Sequence, residues 1–541
     1  MRPHLLSAKV IEHYLSTGQW SKKTVLDQYR TYARNFPNKI ALLSTDNSYT
    51  WAELDAVTDS VAAKLISLGL IRDSTALIQL SSSCNEVIIR IALKKSGVIG
   101  AFAPIQWGVR ELDYICQQLE PSLIIVQENR LLPLTHSWLI KKVKKSKFKL
   151  IKLNIAENSI ENSELWPSRE EAPISPEILK KIKCRQFKFD EISMITTSSG
   201  TSGMAKLCEW PEGAQVAVAK ALQKKMNVTD RDIVGLFAPM SGAAGLVVWI
   251  ISTVVPFTSI FPTSYNAREL LNDLINFKVT MGTTVPVILN RLVKENLESY
   301  DLSLLRLMRV GTASTNITVA KSFEERTGCK IIVASGSMEV PGFSHAHFSE
   351  KKRIRLDGSV GLPLEGGNLK IEDEDGNILP TGSVGELKVS APYASTGYWK
   401  DPAATEAVWS DGWFSTGDLG RIEHSGRLTL FGRKKEIINR SGLKIRPVEI
   451  EMQLMEDSSV IDCAVIAVPD NEYGEVAWAF VVLHPKKHFE IEEAKELMLA
   501  RGIPAYKIPE RIEVLTDLPR INDNKIDKTY LKQLAIERSK I

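Results

Sequence analysis

The sequence is poor in cysteine and contains no paired cysteine motif. Its six cysteines are scattered over 541 residues, and no two of them are spaced as Cys-x-x-Cys. Zinc ribbons and disulfide frameworks need such pairs, so the pattern argues against both and is typical of a reducing compartment. We therefore expect buried or unreactive thiols at Cys84, Cys116, Cys184, Cys208, Cys329 and Cys463.

The sequence also lacks a large net charge of either sign. The chain has 68 basic and 64 acidic residues, a net charge of +4, which is too small to indicate nucleic acid as the main partner. No hydrophobic run is long enough to span a membrane. The most apolar segment, 246–255, is interrupted by Ser252 and Thr253 and stops at Pro256, so we expect a buried helix there and no membrane span.

The remaining composition is that of an ordinary soluble protein, with 44% hydrophobic and 24% charged residues. A chain of this length is too long for one ordinary core, so at least two domains are expected. Residues 1–20 contain charges and histidines without an apolar core segment. They do not look like a secretory signal, and we expect a cytoplasmic protein.

Short aliphatic runs alternate with helical patterns along much of the chain. In segments 56–68 and 85–95, apolar residues recur every three or four positions. This alternation predicts an α/β fold in which helices cover parallel sheets. The runs that we interpret as strands include 76–80, 123–126, 331–334 and 464–468.

Three other segments mark the organisation of the chain. The basic stretch 141–152 is interpreted as a solvated helix face, and the polar stretch 154–171 as a surface connection. From about residue 357, short strands with close turns predict a small antiparallel or barrel-like module. After the charged, glycine-led segment 432–436, Pro447 opens a new helical pattern, so a domain boundary is expected there.

The most informative segment is 196–206, Thr-Thr-Ser-Ser-Gly-Thr-Ser-Gly-Met-Ala-Lys. Its glycines allow N–H groups and hydroxyls to converge on one anion, and Lys206 adds charge. The alternative is a flexible Ser/Gly linker. The lysine spacing excludes a Walker A loop. The predicted phosphate-binding residues are Thr197, Ser198, Ser199, Gly200, Thr201, Ser202, Gly203 and Lys206.

Further motifs follow this loop in a fixed order over nearly the whole chain. They comprise Thr50–Leu54, Ser335–Glu339, Gly397–Trp399, Trp413–Asp418, Gly432-Arg433, Tyr506–Pro509 and Leu518–Asp527. With the phosphate loop, they resemble the adenylate-forming superfamily of acyl- and aryl-CoA synthetases, amino-acid adenylation domains and luciferases. In pattern the sequence is most similar to bacterial aryl-acid and acyl-CoA ligases.

The resemblance implies an architecture and a reaction. We expect a large N-terminal domain, residues 1–431, built from helix-covered parallel sheets and a small β-barrel-like module. A hinge at 432–435, centred on Lys435, would lead to a small mobile α+β domain, residues 436–541. The reaction implied is ATP- and Mg²⁺-dependent formation of an acyl adenylate and pyrophosphate, followed by acyl transfer to a thiol, with CoA as the expected acceptor.

The resemblance also implies roles for single residues. Lys525 matches the catalytic lysine that bridges the carboxylate and the α-phosphate, and Glu339 matches the catalytic carboxylate that binds Mg²⁺. Asp418 and Arg433 match the ribose contacts, and Gly442 would leave room for a pantetheine arm. The adenine wall would be formed by Gly311, Thr312, Ala313 and Ser314.

The segment that begins at Pro239 matches the acid pocket. Ala243 stands where amino-acid adenylation domains have an aspartate, so nothing there holds an ammonium group and a standard amino acid is disfavoured. Small residues leave volume for a ring or an alkyl chain, and we expect an aryl or medium-chain acid. The predicted pocket residues are Met240, Gly242, Ala243, Gly245, Ser335, Gly336 and Met338.

Three alternatives stay open at this stage. The acceptor is CoA or a separate carrier protein, and the enzyme is a monomer or a homodimer. Because the family has threonine where this chain has Met338, and because Gly242 and residues 522–524 also depart from its pattern, a degenerate nucleotide-binding regulatory protein is the rival from another class. His345 and His347 lack a third metal ligand, so we assign no zinc site to them.

Overall fold

The computed structural model describes residues 7–131, 133–145, 149–153, 165–166, 174–198, 204–313, 315–521 and 525–539. Up to residue 363 its strands are β1 (Ile40–Leu43), β2 (Ser48–Thr50), β3 (Thr75–Gln79), β4 (Ile99–Phe102), β5 (Leu123–Gln127), β6 (Lys149–Leu153), β7 (Ile192–Ser198), β8 (Lys206–Pro211), β9 (Ile233–Leu236), β10 (Thr258–Ile260), β11 (Met281–Thr284), β12 (Leu307–Gly311), β13 (Lys330–Ser335), β14 (Ser344–His345) and β15 (Leu362–Pro363).

These strands form two large sheets. The first has the order β15-β14-β13-β12-β11-β9-β10-β1-β2, and the second the order β6-β5-β3-β4-β7-β8. Neighbours are parallel in the interior of both sheets, whereas β2, β8, β14 and β15 pair in the antiparallel sense. The predicted helix-covered parallel sheets are therefore confirmed.

Helices pack on the faces of these sheets. Capping boxes start α2, where Thr24 pairs with Asp27, and α3, where Thr50 pairs with Glu53. The helices are α1 (Ala8–Ser16), α2 (Val25–Asn35), α3 (Trp51–Ser67), α4 (Cys84–Ser96), α5 (Val109–Leu119), α6 (Pro133–Lys145), α7 (Pro176–Arg185), α8 (Glu212–Met226), α9 (Ala243–Ile250), α10 (Ala267–Asn276), α11 (Pro286–Leu292), α12 (Ile317–Thr327) and α13 (Lys352–Arg355).

A small antiparallel sheet follows, as the close turns after residue 357 predict. Its strands have the order β16-β17-β19-β18, and β20 pairs with β19. The elements are β16 (Asn368–Glu372), β17 (Val384–Ser390), α14 (Pro402–Glu406), β18 (Trp409–Ser410), β19 (Trp413–Ile422) and β20 (Leu428–Arg433).

The last part of the chain has hydrophobic cores of its own, formed by residues from Ile438 onward. Its main sheet has the order β22-β21-β24-β23, with β25 beside β24, and β26 pairs with β27. The elements are β21 (Ile438–Arg440), β22 (Leu443–Ile445), α15 (Pro447–Leu454), β23 (Val460–Asp470), β24 (Gly474–Leu483), α16 (Ile491–Ala500), β25 (Arg511–Val514), β26 (Arg520–Ile521), β27 (Lys525–Ile526) and α17 (Lys528–Ser539).

Two segment interpretations can be compared with these elements. The apolar run 246–255 is buried in α9 and the following 3-10 turn, Ile251–Thr253, as expected. The interpretation of 141–152 as one helix face is wrong, because α6 ends at Lys145 and Lys149 begins β6, which pairs with β5. Apart from Leu165 and Trp166, the polar stretch 154–171 lies outside the described residues. None of the described helices is both long enough and apolar enough to cross a bilayer.

Candidate active site

The loops that carry several predicted site residues leave the same edge of the first large sheet. Met240 follows β9, Thr312 follows β12, and Glu339 follows β13. These strands run parallel in the order β13-β12-β11-β9, so their carboxyl ends lie side by side. Ligands of open α/β sheets bind at such carboxyl ends.

The predicted phosphate loop connects two strands of the second sheet. Strands β7 and β8 are antiparallel, and Ser198 lies opposite Lys206 at the end of the strand pair where the loop begins. The Thr197 hydroxyl donates to the carbonyl oxygen of Phe102 at 3.3 Å. The ammonium of Lys206 lies 4.5 Å from the ring centroid of Tyr398, a favourable cation–π distance. Ser199, Gly200, Thr201, Ser202 and Gly203 lie outside the described residues.

Glu339 is held from the second sheet by side-chain and backbone contacts. The Tyr398 hydroxyl donates to Glu339 Oε1 at 2.9 Å, and the Ser395 N–H donates to the Glu339 carbonyl oxygen at 2.7 Å. The Trp210 indole N–H donates to the carbonyl oxygen of the neighbouring Met338 at 3.0 Å. Burial and the nearby Glu339 raise the pKa of Tyr398. Glu339 itself is only 7% exposed.

Tyr398 reaches this position because its segment extends the second sheet. The N–H of Thr396 donates to the carbonyl oxygen of Glu209 at 3.0 Å, and the N–H of Trp399 donates to that of Leu207 at 2.7 Å. The segment therefore runs along the edge of β8. Sequence reasoning did not assign Tyr398 to the site, although it lies within the Gly-Tyr-Trp motif, and that motif was the available signal.

Asp418 is the point on which several predicted residues converge. Arg433 Nε lies 2.8 Å from Asp418 Oδ1, and Arg433 Nη1 donates to the carbonyl oxygen of Thr416 at 2.7 Å. Burial raises the pKa of Asp418; the positive charges of Arg433 and Lys525 oppose this shift, while the carboxylates of Glu436 and Glu339 add to it. The charges of the predicted ribose, metal and catalytic residues thus all act on the Asp418 carboxyl.

The predicted adenine wall has an unusual backbone. Gly311 ends β12, and a Cβ there would lie 2.8 Å from the carbonyl oxygen of Ala334. The next residue, Thr312, has φ +81°, a left-handed conformation that is unfavourable for a β-branched side chain. Ala313 is exposed, and Ser314 lies outside the described residues. Strained backbone of this kind is often found at ligand and active sites, and the role of this segment as an adenine wall stays a prediction.

The loop of the predicted acid pocket is anchored to α4 and the residues before it. The Met240 N–H donates to Ser82 Oγ at 2.7 Å, and the Met240 carbonyl oxygen accepts from Arg90 Nη2 at 3.1 Å. The Met240 side chain, one of the predicted pocket residues, has no exposed surface and packs in the principal core. Gly242 is the N-cap of α9, which Ala243 begins.

Two pocket glycines are required by backbone packing. A Cβ at Gly245 would lie 2.3 Å from the carbonyl oxygen of Ala238, and one at Gly336 would lie 2.3 Å from the Gly342 nitrogen. Their small size therefore allows close approach of backbone and does not open pocket volume. Met338 is 6% exposed and packs in the principal core, while Ser335 is half-buried at the end of β13.

The predicted hinge and thiol-access residues are accessible. Lys435 is exposed in a 3-10 turn, Lys434–Glu436, directly after β20. Gly442 lies at the tip of the β21–β22 hairpin with φ +90°, and a Cβ there would meet nothing within 4 Å. Lys525 begins β27 and pairs with Ile521 of β26. Residues 522–524 lie outside the described residues.

The two histidines that could suggest a metal differ in environment. His345 is completely buried in β14, whereas the half-buried His347 contacts Ser349 at 2.7 Å. In the part of the chain that the structure describes, no three His, Cys, Asp or Glu side chains are grouped as metal ligands would be. Of the six cysteines, Cys184 is exposed and the others are buried.

Two models of AMP-binding enzyme domains match most of this chain, and full-length relatives match nearly all of it. The profile described as "AMP-binding enzyme" matches residues 29–399, and "AMP-binding enzyme C-terminal domain" matches residues 449–525. Triostin synthetase I of Streptomyces triostinicus is 27% identical over 98% of this chain and 98% of its own length. The medium-chain fatty-acid–CoA ligase of Escherichia coli K12 is 26% identical over 97% of this chain and 93% of its own.

A solved anthranilate CoA ligase in complex with anthranoyl-AMP has the same fold. It superposes with a TM-score of 0.84 at 23% sequence identity, covering 96% of this chain and 98% of the other. Because 96% of this chain is covered, the similarity of fold includes residues on both sides of the segment 432–436.

Proposed function

The chain belongs to the AMP-binding enzyme family of adenylate-forming ligases, and on this basis we propose that it activates an aryl or medium-chain carboxylic acid with ATP and transfers the acyl group to CoA. The observation that carries the proposal is the ion pair between Arg433 Nε and Asp418 Oδ1 at 2.8 Å, next to which the charges of Lys525 and Glu339 also act on the pKa of Asp418. Arg433, Lys525 and Glu339 belong to three motifs that are far apart in the sequence.

The first half-reaction joins the acid to AMP. A carboxylate oxygen attacks the α-phosphorus of ATP, and the bond from phosphorus to the oxygen of the departing pyrophosphate breaks with its electron pair. Negative groups accumulate at one point, so fixed cations are needed there. We assign Lys525 to the carboxylate and the α-phosphate, and Asp418, oriented by Arg433, to the ribose hydroxyls.

Glu339 would hold Mg²⁺ together with phosphate oxygens of ATP. A single hard carboxylate fits this ion, because Mg²⁺ at nucleotide sites takes one or two carboxylates and completes its shell with phosphate and water. The bound ion would neutralise charge on the phosphates. The Tyr398 hydroxyl fixes the orientation of the Glu339 carboxylate through its contact with Oε1.

The second half-reaction transfers the acyl group. The thiol sulfur attacks the acyl carbonyl carbon, the mixed anhydride bond breaks, AMP leaves, and the thiol proton passes to solvent. The open space around Gly442 would admit a pantetheine arm once the terminal part rotates about Lys435. This part of the proposal rests on the family resemblance.

The choice of acid rests on the pocket residues and on one relative. Gly242 and Ala243 provide no carboxylate that could hold an ammonium group. The relative in Escherichia coli is named as a medium-chain fatty-acid ligase, which supports the alkyl option. A carrier protein in place of CoA is the alternative acceptor.

ATP–pyrophosphate exchange tests the first half-reaction. The purified protein is assayed with benzoates, hydroxybenzoates, C6–C12 alkanoic acids and amino acids, and acids that support exchange are offered CoA or a phosphopantetheinyl carrier protein. We expect exchange with an aryl or medium-chain acid and thioester formation with CoA. Lys525→Ala should abolish exchange, whereas the matched control Lys532→Ala, in α17, should not. Nucleotide binding without exchange would instead indicate the regulatory alternative.

A further inference from the structure

Arg309, in the middle of β12, is a buried cation without a carboxylate partner. It is 3% exposed, its Nη1 has no hydrogen-bond partner, and it forms no ion pair with any residue that the structure describes. Burial lowers its pKa to about 10, so the guanidinium remains charged at neutral pH. Burying such a charge is unfavourable, and the contact that compensates part of the cost is made by His345.

His345 accepts from Arg309 on one side and donates on the other. Its Nε2 lies 2.9 Å from Arg309 Nε, and its Nδ1 lies 3.1 Å from the Gly342 carbonyl oxygen. A guanidinium can only donate and a carbonyl can only accept, so both contacts are made only by the neutral ring protonated at Nδ1. Burial and the charges of Arg309 and Lys225 lower the pKa of His345 well below its usual value, which maintains this state.

The backbone of His345 is fixed on both sides. It pairs with Ala334 of β13 and with Leu362 of β15. A Cβ at Gly361 would lie 2.1 Å from the carbonyl carbon of His345, so this stretch of backbone is tightly enclosed. The ring therefore projects from a rigid support towards Gly342.

Gly342 belongs to the loop that carries Glu339. It has φ +60°, and a Cβ there would lie 2.8 Å from His345 Cε1, so glycine is needed for the imidazole to approach its carbonyl. Within the loop, the Ser337 N–H donates to the Val340 carbonyl oxygen at 3.1 Å. Tyr398 holds the same loop from the second sheet, through Glu339.

We propose that Arg309 and His345 are positioning residues that set the Gly336–Gly342 loop, and with it Glu339, for adenylation. The inference rests on the proposed function. It assigns a role to the two successive hydrogen bonds that join Arg309, His345 and Gly342, which no sequence motif indicated. Arg309 lies two residues before Gly311 in β12. The two hydrogen bonds therefore also link the strand that ends in the predicted adenine wall to the loop that carries Glu339, the predicted metal ligand.

The test compares variants at these positions with a matched histidine. His345→Phe removes both contacts, whereas His345→Asn and His345→Gln each retain an amide that can replace part of them. Arg309→Met removes the donor, and His347→Gln changes the neighbouring half-buried histidine as the control. For each variant we would measure hydrogen exchange of the backbone amides of residues 336–340 and 342 in the free protein, and the saturation of pyrophosphate exchange by Mg-ATP and by the acid. The rate of thioester formation from preformed acyl adenylate is measured as well.

We expect His345→Phe and Arg309→Met to raise amide exchange in the loop and to lower kcat/KM for Mg-ATP about tenfold, the factor that corresponds to one net hydrogen bond. The thioester step should change less than about twofold, because Glu339 serves the phosphates of ATP and pyrophosphate has left before the thiol attacks. The Asn and Gln variants should be intermediate, and His347→Gln should match the wild type.

The proposal would be overturned if amide hydrogen exchange in the loop were the same in every variant as in His347→Gln. It would also be overturned if a variant lost the same fraction of its rate in adenylation and in thioester formation. If the wild type exchanges no pyrophosphate with any acid, the proposed function fails. The amide measurements on the free protein then still decide whether Arg309 and His345 hold the loop.

Discussion

Tyr398→Phe removes one oxygen atom from the site and provides a sharp test of the Glu339 environment. The hydroxyl donates to Glu339 Oε1 at 2.9 Å in a buried location. The ring keeps its packing against Trp409, with centroids 5.3 Å apart, and its position 4.5 Å from the Lys206 ammonium. The substitution therefore isolates the hydrogen bond from the other contacts of this side chain.

The expected magnitude follows from the kind of bond. A hydrogen bond to a charged group contributes about 1.5–3 kcal/mol, and 1.4 kcal/mol corresponds to a factor of about ten. If the hydroxyl orients the carboxylate for the metal-bound phosphates, kcat/KM for Mg-ATP in pyrophosphate exchange should fall about ten- to a hundredfold. The free energy of unfolding should fall by up to about 3 kcal/mol.

Tyr393→Phe is the matched control. The Tyr393 side chain is 1% exposed, and its hydroxyl has no hydrogen-bond partner within the described portion of the chain. Removing an unpaired buried hydroxyl should leave the free energy of unfolding unchanged or raise it by up to about 1 kcal/mol. The kinetics of pyrophosphate exchange should not change. The reasoning is refuted if both variants change urea-unfolding midpoints and Mg-ATP saturation equally, or if Tyr398→Phe has no effect.

Four further predictions follow from single positions. Thr312→Gly should relieve the unfavourable φ of +81° and raise the free energy of unfolding in urea by up to about 1 kcal/mol; a decrease would show that no strain is stored there. Because the folded pKa of His345 is depressed, its contribution to stability is complete above the unfolded pKa of about 6.5 and is lost as pH falls below it, by up to about 1.4 kcal/mol per pH unit. Urea titrations from pH 7 to 5 should show a shallower slope for His345→Asn than for the wild type. Met338→Thr should introduce a hydroxyl beside Glu339 that can donate to a phosphate oxygen and should speed pyrophosphate exchange, while the loss of a buried thioether lowers the melting temperature; an unchanged pyrophosphate exchange rate would show that this hydroxyl does not contribute to adenylation. Lys435→Pro should preserve acyl-AMP formation and suppress thioester formation in single-turnover assays, and equal loss of both would argue against a hinge at this residue.

The order of elements could be predicted from the sequence because it depends on local patterns. Strands 76–80 and 331–334 are short aliphatic or β-branched runs, and helix 85–95 has apolar residues on a helical repeat. Close glycine turns after residue 357 similarly predict antiparallel strands. The basic stretch 141–152 was misinterpreted because lysines occupy both the end of α6 and the partly exposed strand β6, so charge alone does not distinguish the two.

The chain by itself therefore determined the α/β class and the residue types available for phosphate, ribose and carboxylate, through motifs that are each a few residues long. Only the tertiary structure decided which of those residues meet. Tyr398 reaches Glu339 across 59 positions of sequence, and Arg309 reaches His345 across 36. Such contacts depend on strand order and on which sheet edges adjoin, and a periodic pattern contains no information about either, because periodicity specifies the face of an element and not its neighbour.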